Sequence, residues 1–214
     1  DPFSIDFDPR WAKKMQPESI GSKRYLEHVL DQAMDIIDTQ HIDVLYTTPP
    51  VLVALALRMS DQKRMAIKGV HYGGISIGKE ALKRFKEENF PNAVHISGYG
   101  NTLFGLCLEI EASSAYDLDY FPLGPRMIVQ VVEKDDGNEP GSERLSKLVN
   151  YGEEGQVVFH RLDESFFIPN MFERDRAVRI PPTSTAIDYG VTQDGVRNPA
   201  LLESNNQVVK TGLY

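Results

Sequence analysis

The sequence predicts an α/β fold: a parallel α/β layer over about residues 22–105, a small β-barrel-like region over about 106–180, and an irregular tail. Three observations carry this. Helical and strand periodicities alternate through the first half. The second half holds short strand patterns parted by turns, with no long helical run between them. The remainder is polar and without period. The expected boundaries divide the chain into 1–105, 106–185 and 186–214.

The first element is "SKRYLEHVLDQAMDIIDTQ", 22–40, where Tyr25, Leu26, Val29, Leu30, Ala33, Ile36 and Ile37 recur at helical spacing and Ser22 stands at the cap. "IDVLYTT", 42–48, is a β-branched run. Pro49 and Pro50 then open a buried helix, "PVLVALALRMS". "AIKGVHYGG", 66–74, is the next strand and ends in two glycines. "GKEALKRFKEENF", 78–90, is an exposed helix with Ala81, Leu82 and Phe85 inward, and "NAVHISGYG" is a third strand. Right-handed crossovers put the loops after residues 46, 72 and 98 side by side on the carboxyl edge, where open α/β sheets bind ligands. After residue 105 the strand candidates are "LFGLCLEIEA", "PRMIVQVVEK", "GQVVFHRL", "SFFIPNMFERD" and "DRAVRI".

The 214 residues carry a formal net charge of −8 and are 41% hydrophobic. That balance argues against chain-wide affinity for nucleic acid or an anionic membrane. It leaves room for a local anion site built from backbone N–H groups. The single cysteine, Cys107 in "FGLCLEI", reads as a small core residue. No run approaches the ~18 apolar residues of a membrane span, no signal peptide is visible, and a cytoplasmic location is expected. The chain begins without Met and is read as the later portion of a longer protein.

"ISGYGNTLFG", 96–105, ends the third strand in a glycine-framed tyrosine followed by an amide and a hydroxyl. Glycines let a flat group approach the backbone. Tyr99 offers a ring face, and "HYGGIS" on the neighbouring strand offers peptide planes, so the pair makes a slot for a planar ring. The competing reading is a strand-to-turn junction with a half-buried tyrosine.

These residues resemble the adenylate-forming superfamily of acyl-CoA synthetases, aryl-acid ligases and peptide-synthetase adenylation domains. "GGISIGKEALKRFKEENFPNAVHISGYGNTLFG" is similar to its Gly-Gly strand end, helix, and strand into a Tyr-Gly-x-Thr-Glu motif. "YGEEGQVVFHRL" resembles the element opening the family's small β-barrel. "IPNMFERDRAVRI" is similar to the Arg-Asp form found in phenylacetate–CoA ligases, and "IDFDPRW" to adenylate-forming-like chains of phenazine antibiotic biosynthesis.

The resemblance implies ATP-dependent activation of a carboxylic, aromatic acid as its acyl-adenylate, then transfer to a thiol or amine. It implies one slot wall at Gly73, Gly74 and Ile75 and another at Ser97, Gly98 and Tyr99, continuing through Gly100 and Asn101. Thr102 would take the α-phosphate and act as the catalytic contact. Asp175 would accept from the ribose hydroxyls, as an acceptor-only carboxylate suits; a surface pair with Arg174 or Arg176 is the alternative. Tyr46, Thr48, His71, Tyr72, Phe104 and Gly98 are candidates to line the acid site, with Gly98 as an open floor; ordinary packing competes at each. The expected partners are a small-molecule acid and an unidentified acceptor, with no nucleic acid or membrane, and a homodimer is left open.

Three departures stand out. The motif's glutamate is Leu103, so Mg²⁺ lacks its usual carboxylate. No phosphate loop precedes the Gly-Gly strand. Only 39 residues follow Asp175, too few for the family's lysine-bearing domain, with Arg197 and Lys210 as outside candidates for the hinge arginine and that lysine. A non-catalytic binder on the same scaffold is therefore the alternative function, and an unrelated α/β domain a third. The five histidines lack metal spacing, and Asp117, Asp119, Asp135 and Asp136 read as solvated loops.

Overall fold

The computed structural model describes residues 19–113, 115–135, 137 and 140–202. Helix α1 (Ile20–Thr39) is followed by β1 (Val44–Thr47), α2 (Pro49–Arg58), α3 (Asp61–Ala66), β2 (Gly69–Gly73), α4 (Lys79–Arg84) and β3 (Val94–Asn101). Ser19 caps α1 in place of Ser22, because its hydroxyl accepts the Ser22 N–H at 3.0 Å. Pro49 and Pro50 fill the first turn of α2, where a missing N–H costs nothing. The helix expected over 78–90 forms, but only Lys79–Arg84 is α-helical; Phe85–Asn89 continues it as a π turn.

Strands β1, β2 and β3 are parallel neighbours in that order. Crossovers of one hand stepping in one direction put their helices on a single face. There Leu30, Leu45, Leu52, Val70, Leu82 and Phe85 belong to one buried core. The other face carries Val44, Tyr46, His71, Val94 and Ile96; Tyr46 is 77% exposed and Val94 66%.

The chain continues through β4 (Gly105–Glu109), β5 (Asp119–Pro122), β6 (Met127–Val132), α5 (Gly141–Arg144), β7 (Glu154–Leu162), β8 (Phe167–Ile180), α6 (Ser184–Asp188) and β9 (Gly195–Leu201). The expected β-barrel-like region is not what forms. All nine strands make one open sheet, ordered β1-β2-β3-β4-β5-β9-β8-β7-β6. The physical reason is β9, which pairs with β5 on one side and β8 on the other and joins the two halves. Local turn patterns mark antiparallel strands but do not say which strand each will pair with. The sheet curls strongly: Phe159 of β7 packs on Tyr99 and Phe104, although β7 lies five places from β3 in the strand order.

The stretch read as an irregular tail thus supplies an interior strand. Asn198 (φ 50°) and Pro199 hide it from a strand pattern. "SFFIPNMFERD" and "DRAVRI" are one 14-residue strand, bent at Asn170 (φ 59°) beside a register shift at Phe159/Arg161. Asp119 is no solvated loop residue. It is buried in β5 and takes both arms of Arg197, at 2.6 and 2.7 Å, so that guanidinium is committed to joining β5 to β9. Asp117 pairs with Lys79 and Asp135 with Arg144. Asp136, Lys210 and the "IDFDPRW" opening lie outside the described residues. Cys107 is fully buried, and burial pushes its thiol pKa up. Among the described residues no helix is long and apolar enough to cross a membrane.

Candidate functional site

The two glycine-bearing strand ends meet directly. Gly73 and Gly98 are the last register partners of β2 and β3, and a Cβ on Gly73 would lie 2.7 Å from the Gly98 carbonyl oxygen. No ring fits between strands at that pair. Beyond it the strands part. Gly74 (φ 80°) turns the chain away into the exposed Ile75. β3 runs on through Tyr99, Gly100 and Asn101, paired on its far side with β4. The result is a notch in the carboxyl edge, walled by Gly74–Ile75 and by 99–101. Over Gly74 a Cβ would meet only Thr48 Cγ2, at 3.9 Å.

Side chains of β8 reach the end of β3, which walls this notch. The Tyr99 hydroxyl donates to Asp175 Oδ2 at 2.9 Å, and the Asn101 amide donates to Glu173 Oε1 at 3.2 Å. Asp175 has no other hydrogen-bond partner among the described residues, so Oδ1 is left for another donor. Burial raises the Asp175 carboxyl pKa. Burial, then the nearby Asp175 charge, raises that of Glu173. Burial chiefly, with Asp175 second, pushes the Tyr99 phenol up. The Tyr99 ring is half-buried, tilted against Tyr120 and Phe159 at 5.8 Å each.

The β3–β4 turn presents Thr102. Asn101 Oδ1 accepts the N–H groups of Leu103 (2.8 Å) and Phe104 (3.3 Å), which fixes the turn from inside. Thr102 and Leu103 are left exposed, while Phe104 turns inward and stacks on Phe159 at 3.5 Å. Gly100 is required by this turn, since a Cβ there would meet the Gly105 carbonyl oxygen at 2.0 Å.

The candidates for the acid site do not share one surface. Tyr46 and His71 stack at 4.2 Å on the helix-free face. Gly98 is on that face too, but the space above it is filled: a Cβ would meet Leu106 Cδ1 at 2.8 Å and His71 Cε1 at 3.1 Å. Tyr72 lies on the opposite face, 1% exposed, against Phe85 and His95. Phe104 is also buried on that side, in the same core. Ser97 is buried as well, and its backbone and hydroxyl both donate to Glu109. Burial holds the His71 imidazole below its usual pKa.

Two acidic residues beside the site escaped sequence reading. Glu109 and Glu173 sit in strands in phase with Cys107 and Asp175, so the two-residue period was the signal that placed them inward. An open depression lined by Ile128, Gln130, Leu148 and Asp194 lies at the β6 edge and shares no residue with the notch.

No protein-family model matches the sequence, and no curated protein matches it. Solved structures do. The chain is similar to an open conformation of 2-hydroxyisobutyryl-CoA ligase in complex with 2-HIB-AMP and CoA, with TM-score 0.58 and 14% identity over 78% of this chain and 35% of that one. The same ligase in the postadenylation state with R3-HIB-AMP gives TM-score 0.57 at 13% identity, covering 79% and 34%. CmiS6 gives TM-score 0.51 at 10% identity, covering 78% and 42%. At these identities the likeness establishes the fold. The chain spans about a third of the length of the ligase it matches first.

Proposed function

We propose that this chain is part of an adenylate-forming ligase, in which a substrate carboxylate attacks the α-phosphate of ATP to give an acyl-adenylate and pyrophosphate. One observation carries the reading: Tyr99 and Asp175, 76 residues apart in sequence, are joined at 2.9 Å beside the notch at Gly74 and the turn at Thr102. Both sequence motifs thus converge on one strand end. The fold likeness to a ligase bound to an acyl-AMP supports the same reading.

The adenine enters the notch between Gly74–Ile75 and 99–101, where strand backbone is free of a β2 partner. Asp175 Oδ1 takes a ribose hydroxyl. The exposed Thr102 hydroxyl reaches the α-phosphate. Such a transfer depends on positioning and charge stabilisation more than on a protein nucleophile. The Leu103 side chain offers Mg²⁺ no carboxylate. The acid is aromatic, the acceptor a thiol or amine, and the setting antibiotic biosynthesis of the phenazine kind; these finer points rest on sequence resemblance alone.

Acid-dependent exchange of labelled pyrophosphate into ATP by the full-length protein, over a panel of aryl acids, tests the reading. Exchange that Thr102→Ala abolishes supports it; exchange that survives Thr102→Ala removes the phosphate assignment. A second reading, a binder that does not turn over, is favoured by Leu103 in place of the motif carboxylate. It predicts nucleotide or acid binding by calorimetry with no exchange.

A further inference from the structure

Beneath the notch lies a polar layer that the proposed reaction does not use. Ser97, Glu109, Asp119 and Arg144 are the buried polar or charged residues among those described, and the first two touch each other. Glu109 Oε2 accepts the Ser97 N–H at 3.3 Å and the Ser97 hydroxyl at 2.9 Å, while Oε1 takes Lys86 Nζ at 3.2 Å. The Glu109 side chain is 2% exposed and that of Lys86 16%. Lys86 belongs to the π turn at Phe85–Asn89, a widening of the helix found most often at functional positions. The end of that turn is tied to β3 again, because His95 Nε2 lies 3.0 Å from the Phe90 carbonyl oxygen. Tyr120, whose burial in the same core pushes its phenol pKa up, packs its ring on Tyr99 at 5.8 Å.

Stability does not account for this layer. Desolvating a Lys–Glu pair commonly costs as much as the attraction returns, and apolar residues of similar volume do as well or better. The same layer leaves Tyr72 Oη and His95 Nδ1 buried without a hydrogen-bond partner, which is a further cost. What the pair does, and apolar residues cannot, is hold the backbone and hydroxyl of Ser97, the residue directly before Gly98 and Tyr99.

We infer that Lys86 and Glu109 are positioning residues for the nucleotide notch, an inference that rests on the function proposed above. The pair clamps β3 at Ser97 to the start of the π turn. It thereby sets the strand end at 98–101 relative to Gly74 and to Asp175.

The test uses the full-length protein and the double variant Lys86→Met/Glu109→Leu, with Tm, KM for ATP and kcat of pyrophosphate exchange as readouts. The expected result is a folded protein with a modestly lowered Tm, because Ser97 loses its acceptor, a KM for ATP raised about tenfold and a smaller change in kcat, as a displaced binding wall produces. A double variant that folds and keeps the parent KM overturns the inference and leaves the notch reading intact. A parent that binds no ATP overturns the notch reading, and this inference with it. If the double variant does not fold, Lys86→Met is compared with Lys86→Gln, which restores a donor to Glu109. Recovery of ATP affinity by glutamine over methionine supports the inference, and equal KM values in the two overturn it.

Discussion

The hydroxyl of Tyr99 donates to Asp175 across 76 residues of chain, fixing the end of β3 to the middle of β8. The contact is the polar hinge of the curled sheet, set beside the Tyr99–Phe159 aromatic packing. It also carries a cost, because Asp175 is a partly buried carboxylate whose pKa burial raises.

That cost predicts opposite effects on folding and binding. Asp175→Asn removes the buried charge while keeping an acceptor for Tyr99. It should raise Tm at pH 7 by roughly 2–4 °C, corresponding to about 1 kcal/mol, while weakening ATP binding tenfold or more. Tyr99→Phe strands the carboxylate and should cost about 1–3 kcal/mol of stability. Thermal melts and calorimetric ATP titrations of the two variants check both; a destabilised Asp175→Asn protein with normal ATP affinity contradicts them.

Two glycines of the GYG stretch should respond differently to alanine. At Gly98 the new methyl meets the end of a flexible side chain, Leu106 Cδ1 at 2.8 Å, with the His71 ring behind it. Gly98→Ala should cost about 1–2 kcal/mol and recover in part with Leu106→Ala. At Gly100 the obstacle is the Gly105 carbonyl oxygen at 2.0 Å. Gly100→Ala should cost about 3 kcal/mol or more, with no side-chain rescue. Denaturant midpoints of the four proteins decide this.

Leu103 is 46% exposed on the β3–β4 turn, so Leu103→Glu should leave stability within about 0.5 kcal/mol. It places a carboxylate beside Thr102. Pyrophosphate exchange measured against Mg²⁺ concentration should gain in rate and in metal dependence. An unchanged Mg²⁺ profile would show that this position does not face the phosphates.

Burial lowers the pKa of His71, His95 and His160. The unfolded chain then binds more protons than the folded one just below the ordinary histidine pKa of about 6.5. Stability contributed by the neutral rings is present above that value and is lost as pH falls below it, by up to about 1.4 kcal/mol per histidine per pH unit. Asp175 and Glu173, with raised pKa values, act in the opposite sense at lower pH: they favour the folded state below the ordinary carboxyl range of about 4, and that gain is lost as pH rises through their raised values. Tm should therefore fall between pH 7.5 and 5.5, and less steeply in His95→Gln. Equal slopes would remove His95 from the account.

Much of the α/β half was legible because its signals are local. Pro49–Pro50, the paired glycines at 73–74 and the helical spacing of Leu82 and Phe85 each fix an element without knowledge of its neighbours. The period of two also forbade His71 and Tyr72 from facing one pocket, since adjacent strand residues point oppositely. What stayed hidden was non-local. Strand β9 carries Asn198 and Pro199 and is defined by partners at Asp119, 78 residues before Arg197, and Arg179, 17 residues before Val196. The π turn at Phe85–Asn89 follows from packing that no propensity reports. Motif resemblance implied that Asp175 faces the ribose; its hydrogen bond to the Tyr99 hydroxyl emerges only when the sheet curls.

The most direct test of the notch is photolabelling of the full-length protein with 8-azido-ATP, followed by peptide mapping. The account predicts label within residues 72–76 and 97–103, suppressed by excess ATP. Label confined to other segments, or label that ATP does not displace, contradicts it.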